Sequence, residues 1–394
     1  MKNKLIITVF FVMLSAGAAV LMLPADRESV YSENRNPAEL LPVTAENVRS
    51  GRLMSNFEEY LGDNLGFRSA FTAASGWIEG KKGINSELGK IVSTNKDIGT
   101  ETVQKSSLLV INDTVMEIFM KNHSAEEKYI NTVNYFAEQL KGIKMYSMII
   151  PTQLEFQEPV YANIENSQKE TIDYIYSRLD DSITTVDAYS ELAENADKYI
   201  YFRTDHHWTA LGAYYGCRAF LKAAGEKENI DINSLEKHTI NNFLGYLYMQ
   251  AQSPELSQKP DRIEWFDTNE DEKITVHNSS MENGKKMEYE GTLFDEDKDN
   301  YSVFMSGDQP LSVITNGRNP DGKTIVILKD SYANAFVPWL INSYHRIILA
   351  DPRTCGESLR GIIDKYQPDE CMIMNYIFTT TFEDYCQMMV DMMK

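Results

Sequence analysis

Positive charge is scarce in this chain. Its 38 lysines and arginines face 58 acidic residues, a formal net charge of −20 over 394 residues. A nucleic-acid binder needs a basic surface to neutralise phosphates, and none is evident, so that class is excluded as a partner. Cysteine is scarcer still. The four present, Cys217, Cys355, Cys371 and Cys386, match no CxxC or zinc spacing. They are too few for a disulfide-built scaffold, and mostly buried free thiols are expected. Internal repeats and low-complexity tracts are also lacking. What the chain does have is 43% hydrophobic and 11% aromatic residues. At this length that excludes a disordered chain and suffices for one large or two ordinary domains.

Long apolar runs are limited to one. Lys2 and Lys4 precede an uncharged stretch from Leu5 to Leu23 that Pro24 closes. At ~1.5 Å per residue it reaches nearly across a bilayer's hydrocarbon core. The flanking lysines keep the amino terminus inside, so the remainder is expected outside the cytoplasm. Small residues at Ala16–Ala19 leave a cleaved signal peptide as the alternative, but the run continues past them. Residues 1–24 therefore read as a signal anchor or signal peptide, and 25–95 as a polar tether and a helical region. Residues 96–394 read as the working domain.

In the helical region Phe57, Tyr60, Leu61, Leu65 and Phe67 recur at near-helical spacing. Lys81–Ser107 has no sustained period and reads as a loose boundary. Beyond it, apolar runs of strand length alternate with helical stretches. Strands are expected at Lys144–Ile150, Ile183–Val186, Tyr199–Phe202, Thr324–Leu328, Ile347–Ala350 and Cys371–Met374. Helices are expected around Glu126–Leu140, Ile172–Leu179, Tyr332–Asn342 and Glu357–Lys365. This alternation predicts an α/β fold with a mainly parallel sheet covered on both faces. Between Asn229 and Gly322 the pattern gives way to short alternating pieces, Arg262–Phe266, Lys273–His277 and Ser302–Met305. They predict a β-rich insertion of antiparallel hairpins over residues 229–322.

Two segments carry chemistry. One is RTDHHW at Arg203–Trp208, with Thr209 as the natural cap of the helix that follows. A serine hydroxyl needs an imidazole base whose tautomer a carboxylate fixes, and Asp-x-His on one turn can deliver both. Two adjacent histidines beside Asp205, among only six in the chain, are unlikely to be accidental. A capped helix with surface histidines is the plain alternative. A zinc site is another, but no second His or Cys cluster accompanies it. The other segment is KDSYAN at Lys329–Asn334, directly after an apolar strand. A strand–turn–helix here would hold Ser331 at the carboxyl end of a sheet strand. It would also set the Ser331 and Tyr332 amides at a helix amino terminus, where an oxyanion is favoured. Alternatively Asp330 or Ser331 simply caps that helix.

TDHHWTALGA at Thr204–Ala213 resembles the signature of the bacterial DHHW proteins, which are similar to the alginate O-acetylation proteins of the SGNH hydrolase-like superfamily. The resemblance extends to ENR at Glu33–Arg35, FEEYLGDNLGFR at Phe57–Arg68 and the strand–KDSYAN segment. It implies an SGNH hydrolase-like three-layer sandwich with circularly permuted motif order. It also implies a triad of Asp205 as orienting acid, His207 as general base and Ser331 as nucleophile. His206 falls on the variable position of the motif. The usual Gly and Asn blocks that supply oxyanion donors are not present, which leaves Tyr332, Gly307, Asn334 and Asn375 as candidates. Arg353 is a further candidate near the site, with a salt bridge to Asp351 as its alternative role. The implied activity is serine-dependent acyl transfer or ester hydrolysis on cell-envelope polysaccharide, with O-acetylation foremost. No cofactor or metal is called for. A membrane-bound O-acyltransferase is the implied protein partner. The alternative of another class is a non-catalytic glycan-binding or scaffold component of such a complex.

Overall fold

The computed structural model describes residues 38–44, 47, 52–64, 66, 89–97 and 103–394, less 158–160, 162–163, 228–229, 252, 269–272 and 283–284. The Leu5–Leu23 run and the Glu33–Arg35 motif lie outside the described residues. Among the described residues no helix is long and apolar enough to cross a membrane.

Thirteen strands are described. They are β1 (Lys90–Asp97), β2 (Val103–Ile111), β3 (Thr114–Glu117), β4 (Lys144–Ile150), β5 (Ile183–Val186), β6 (Lys237–Phe243) and β7 (Asp261–Phe266). The rest are β8 (Ile274–Glu282), β9 (Lys285–Gly291), β10 (Leu311–Asn316), β11 (Thr324–Lys329), β12 (Arg346–Ala350) and β13 (Glu370–Tyr376). Eight of them form one sheet in the order β5-β4-β13-β11-β12-β10-β8-β9. The first five are parallel to one another. The last three continue the sheet antiparallel. Every residue of β11 and of β13 is buried, so both faces of the centre are covered. That burial explains the unbroken apolar runs of the parallel strands.

The helices are α1 (Arg52–Asp63), α2 (His123–Gln139), α3 (Gln168–Tyr176), α4 (Ala188–Ala193) and α5 (Ala210–Ala224). They continue with α6 (Tyr246–Ala251), α7 (Pro254–Ser257), α8 (Tyr332–Leu340), α9 (Leu359–Tyr366) and α10 (Glu383–Met393). α5 packs on α4 and α8, whereas α10 packs on α2 and α9. Local capping fixes where several begin: Asn122 accepts the Ala125 amide, Ser167 that of Glu170, and Ser358 that of Gly361. None of the four cysteines is in a disulfide; three are buried and Cys355 is half-buried.

Four local expectations are corrected. The aperiodic Lys81–Ser107 stretch contains β1 and most of β2, which pair antiparallel from Lys90 with Val110 to Asp97 with Val103. β1 is KIVSTNKD, too polar to show a strand period, and its partner strand supplies the order. Tyr199–Phe202 is no strand. It makes a single bridge, Tyr201 to Trp208, because the chain reverses at once and the Thr209 amide donates back to the Ile200 carbonyl (2.9 Å). Ser302–Met305 is no strand: a 3-10 turn, Tyr301–Val303, overlaps it, and past Phe304 come the left-handed residues Met305, Ser306 and Gly307. Finally, among the described strands of the polar stretch only β6 and β7 stand apart, as an antiparallel pair with α6 and α7 between them; β8, β9 and β10 join the main sheet.

Candidate active site

The Arg203–Trp208 turn is built from distant hydrogen bonds. Asp261, at the start of β7, accepts the amides of Arg203 (3.0 Å) and Thr204 (2.7 Å) and the Thr204 hydroxyl (2.6 Å). The Thr204 oxygen in turn accepts the Gly245 amide (3.0 Å). Gly245 has to lack a side chain, since a Cβ there would lie 2.3 Å from Asp205 Cβ. Thr209 caps α5 by accepting the Gly212 amide at 3.3 Å, as its position suggests. Trp208 is fully buried, and its indole N–H donates to the Tyr332 carbonyl (3.0 Å), tying this turn to α8.

His207 lies between the other two members expected from the sequence. Its Nδ1 is 2.6 Å from Asp205 Oδ1 and its Nε2 is 2.7 Å from Ser331 Oγ. Asp205 also accepts the His207 amide (2.9 Å) and, on Oδ2, the Tyr246 amide (2.8 Å). Burial pushes the Asp205 carboxyl up. His207 and His206 beside it, with hydrogen bonds from His207 and the Tyr246 amide, outweigh burial and hold it well below the usual range. An ionised Asp205 can only accept, so Nδ1 carries the proton, and Nε2 is free to accept the Ser331 hydroxyl proton.

Ser331 lies two residues past the end of β11 and immediately before α8. Its side chain makes no capping bond. Asp330 takes that role: Oδ1 accepts the Tyr332 amide (3.0 Å). Asp330 Oδ2 accepts the Tyr376 amide (2.8 Å) and the Thr379 hydroxyl (3.1 Å), joining the ends of β11 and β13. The capping alternative thus falls to Asp330, and the Ser331 hydroxyl is directed to His207. Burial pushes the Asp330 carboxyl up in spite of these bonds.

The remaining candidates separate. His206 lies over the His207 ring, centroids 3.9 Å apart, with Nδ1 3.8 Å from Asp205 Oδ1. The Tyr332 hydroxyl donates to the His206 carbonyl. As an oxyanion donor the Tyr332 amide is corrected, because it donates to Asp330. The Gly307 amide donates to the Phe304 carbonyl (3.0 Å) in a left-handed turn. Asn375 is fully buried among Tyr129, Tyr385 and Asp330. Asn334 belongs to an ion network: its amide nitrogen donates to Asp308 (2.8 Å) and its oxygen accepts Lys329 (2.9 Å). Arg353 joins the same network, donating to Asp351 and to Asp308 (2.7 Å), so the salt-bridge alternative holds for it.

Asp205, His206 and His207 also place possible ligand atoms within 4.8 Å of one another. Both His207 nitrogens already face Asp205 and Ser331, so a cation here would displace one of them. Sequence reasoning missed Tyr301, whose ring stacks on His207, and Asp261 and Gly245, which shape the turn. No motif marks them. Lys329 was a readable signal: a lysine closing a buried strand needs an acidic partner, and it has Asp308 at 2.7 Å.

Comparison with known proteins gives a consistent outline. A family described as DHHW protein matches residues 48–350. A crystal structure of a DHHW family protein from Eubacterium siraeum is similar at 24% identity and a TM-score of 0.64, covering 76% of this chain and 98% of that one. Bacillus cereus PatB1 is similar at 18% identity and a TM-score of 0.58, covering 71% of this chain and 99% of its own, and has also been solved with a sulfonyl adduct. At these identities the likeness is one of fold. Comparison with curated protein sequences gives no match.

Proposed function

The chain belongs to the DHHW family, and from that premise we propose that it transfers acyl groups, foremost acetyl, by a serine mechanism on cell-envelope polysaccharide. The observation that carries this reading is the continuous relay Ser331 Oγ to His207 Nε2 at 2.7 Å and His207 Nδ1 to Asp205 at 2.6 Å. Ser331 attacks the carbonyl carbon of an acyl donor as its proton passes to His207 Nε2. The tetrahedral intermediate collapses with cleavage of the bond to the leaving oxygen, which takes that proton. A glycan hydroxyl then gives its proton to His207, attacks the acyl-serine and releases free Ser331; water in its place makes the reaction hydrolysis. Asp205 keeps the imidazole in the productive tautomer and offsets its charge.

The finer outline belongs to the same proposal: an SGNH-like three-layer sandwich with the acid and base preceding the serine. The Leu5–Leu23 run holds the domain at the outer face of the membrane, beside a membrane-bound O-acyltransferase that supplies the acyl group. A charge-assisted relay supports catalysis over the scaffold alternative, since a binding protein has no need of a carboxylate kept ionised behind an imidazole.

The test is ester turnover and covalent labelling of the purified full-length protein. Wild type is expected to hydrolyse 4-nitrophenyl acetate and to gain one adduct with phenylmethylsulfonyl fluoride on Ser331. Ser331→Ala should melt close to wild type, because that side chain caps nothing, and should lose turnover by about 10³-fold or more together with the adduct. Full activity in a folded Ser331→Ala protein would falsify the serine mechanism and leave the scaffold reading standing.

A further inference from the structure

Tyr301 lies in the polar stretch that carried no motif. Its ring stacks on His207 with centroids 3.7 Å apart and planes 8° apart. The in-plane positions of that imidazole are taken by Asp205 and Ser331, which leaves the two faces. His206 sits 3.9 Å away at 35°. Two rings this near a third and this close to parallel cannot share one face, so Tyr301 and His206 cover opposite faces. Tyr332 approaches from α8 at 5.3 Å and a steeper 47°. The Tyr301 hydroxyl reaches further and donates to the carbonyl oxygen of Ser331 (3.2 Å). Burial, with Asp205 and Asp308 nearby, raises that phenol well above its usual range, so it stays protonated and a donor. Phe202 and Phe304 pack edge-on or tilted against the ring and hold it in place.

We propose that Tyr301 is a positioning residue that holds the base and the nucleophile in register and stabilises the imidazolium through its ring face. The proposal rests on the acyl-transfer reading above and deepens it. When Ser331 gives its proton to His207, a positive charge appears on a ring whose face lies against an aromatic quadrupole. A base that takes this proton starts the step neutral, so the contact stabilises the transition state more than bound substrate. The ring, rather than the hydroxyl, is the main contributor. The hydroxyl adds a fixed distance between the Ser331 backbone and the stack, worth one neutral hydrogen bond.

The test compares Tyr301→Leu, which removes the ring, with Tyr301→Phe, which keeps it, in the full-length protein. Ester turnover is measured beside the proton resonance of His207 Hε1, assigned by its disappearance in His207→Ala. In Tyr301→Leu, kcat should fall about tenfold or more with KM within about twofold. The Hε1 resonance should move downfield as the ring current is lost. Tyr301→Phe should restore kcat to within about threefold of wild type and keep the upfield resonance. Tyr301→Met refills the volume without a ring and replaces the Leu variant if that protein melts low. Wild-type kcat without the ring, or equal losses in the Phe and Leu variants, overturns the proposal. The resonance is read on resting protein, so an unmoved Hε1 without the ring refutes the stack itself. Retained turnover in Ser331→Ala, by contrast, counts against the serine mechanism.

Discussion

Two turns meet at the site, and each carries a buried carboxylate driven in the opposite direction from the other. Asp205 faces His207 and His206 and is held well below the usual range although burial opposes it. Asp330 is as enclosed, and its hydrogen-bond donors are the Tyr332 and Tyr376 amides, the Thr379 hydroxyl and the Asn375 side-chain amide. Burial raises it, and neither these neutral donors nor the more distant Arg353 reverses the direction. The difference teaches which carboxylate can do chemistry. A group paired with an imidazole stays ionised and can orient and compensate a base. A group bonded to backbone amides at the start of α8 and the end of β13 is a clamp. The turn that looks more like a plain cap in sequence, Asp330–Ser331, divides the roles: the first residue clamps and the second turns its hydroxyl to His207.

The sharpest way to break this comparison is to exchange the two histidines of the first turn. His207→Ala should lower ester turnover by about 10³-fold or more, whereas His206→Ala should leave a substantial part. The reverse ranking in steady-state kinetics would hand the base role to His206. Next in size is the acid dependence of stability. Asp205 is lowered in the fold, so its contribution is fully present above the ordinary carboxylate value of about 3.9 and is lost as pH falls through its lower folded value. Asp330 is raised, so its contribution is present below that ordinary value and is lost as pH rises through its folded one. Urea midpoints between about pH 6 and pH 3 should therefore show wild type losing its advantage over Asp205→Asn and gaining on Asp330→Asn. Parallel trends in the two variants would show that the carboxylates are not opposed. The smallest effect is at the first turn's exit. Thr209→Ala should cost about 1 kcal/mol from the lost α5 cap, seen as a shifted urea midpoint, with KM unchanged.

Much of this site was legible because it is local. Asp-x-His-Trp and the serine after an apolar strand stand within short windows, and the strand periods at Lys144–Ile150 and Thr324–Leu328 needed only burial to explain them. Where the sequence misled, distance was the cause. Tyr199–Phe202 has the composition of a strand, but its backbone partners are supplied by the reversal that follows it. β1 is polar apart from Ile91 and Val92 and is a strand because β2 pairs with it. The oxyanion candidates failed for a similar reason. Gly307, Asn334 and Asn375 have the right chemistry, and each is engaged by partners that residue type cannot reveal.

Resemblance of their motifs to the DHHW proteins grouped Asp205, His207 and Ser331, whereas the sequence by itself determined the alternation of buried strands and helices and the Thr209 cap. Those depend on neighbours a few residues away, which periodicity and side-chain chemistry report directly. Only the tertiary structure decided that Ser331 and His207, 124 positions apart, meet at 2.7 Å. It alone brought Asp261 and Gly245 beneath the first turn and laid Tyr301 on the imidazole. Such contacts follow from how the sheet orders its strands and where its loops return. That ordering is fixed by packing the whole core at once, which no local window of residues contains.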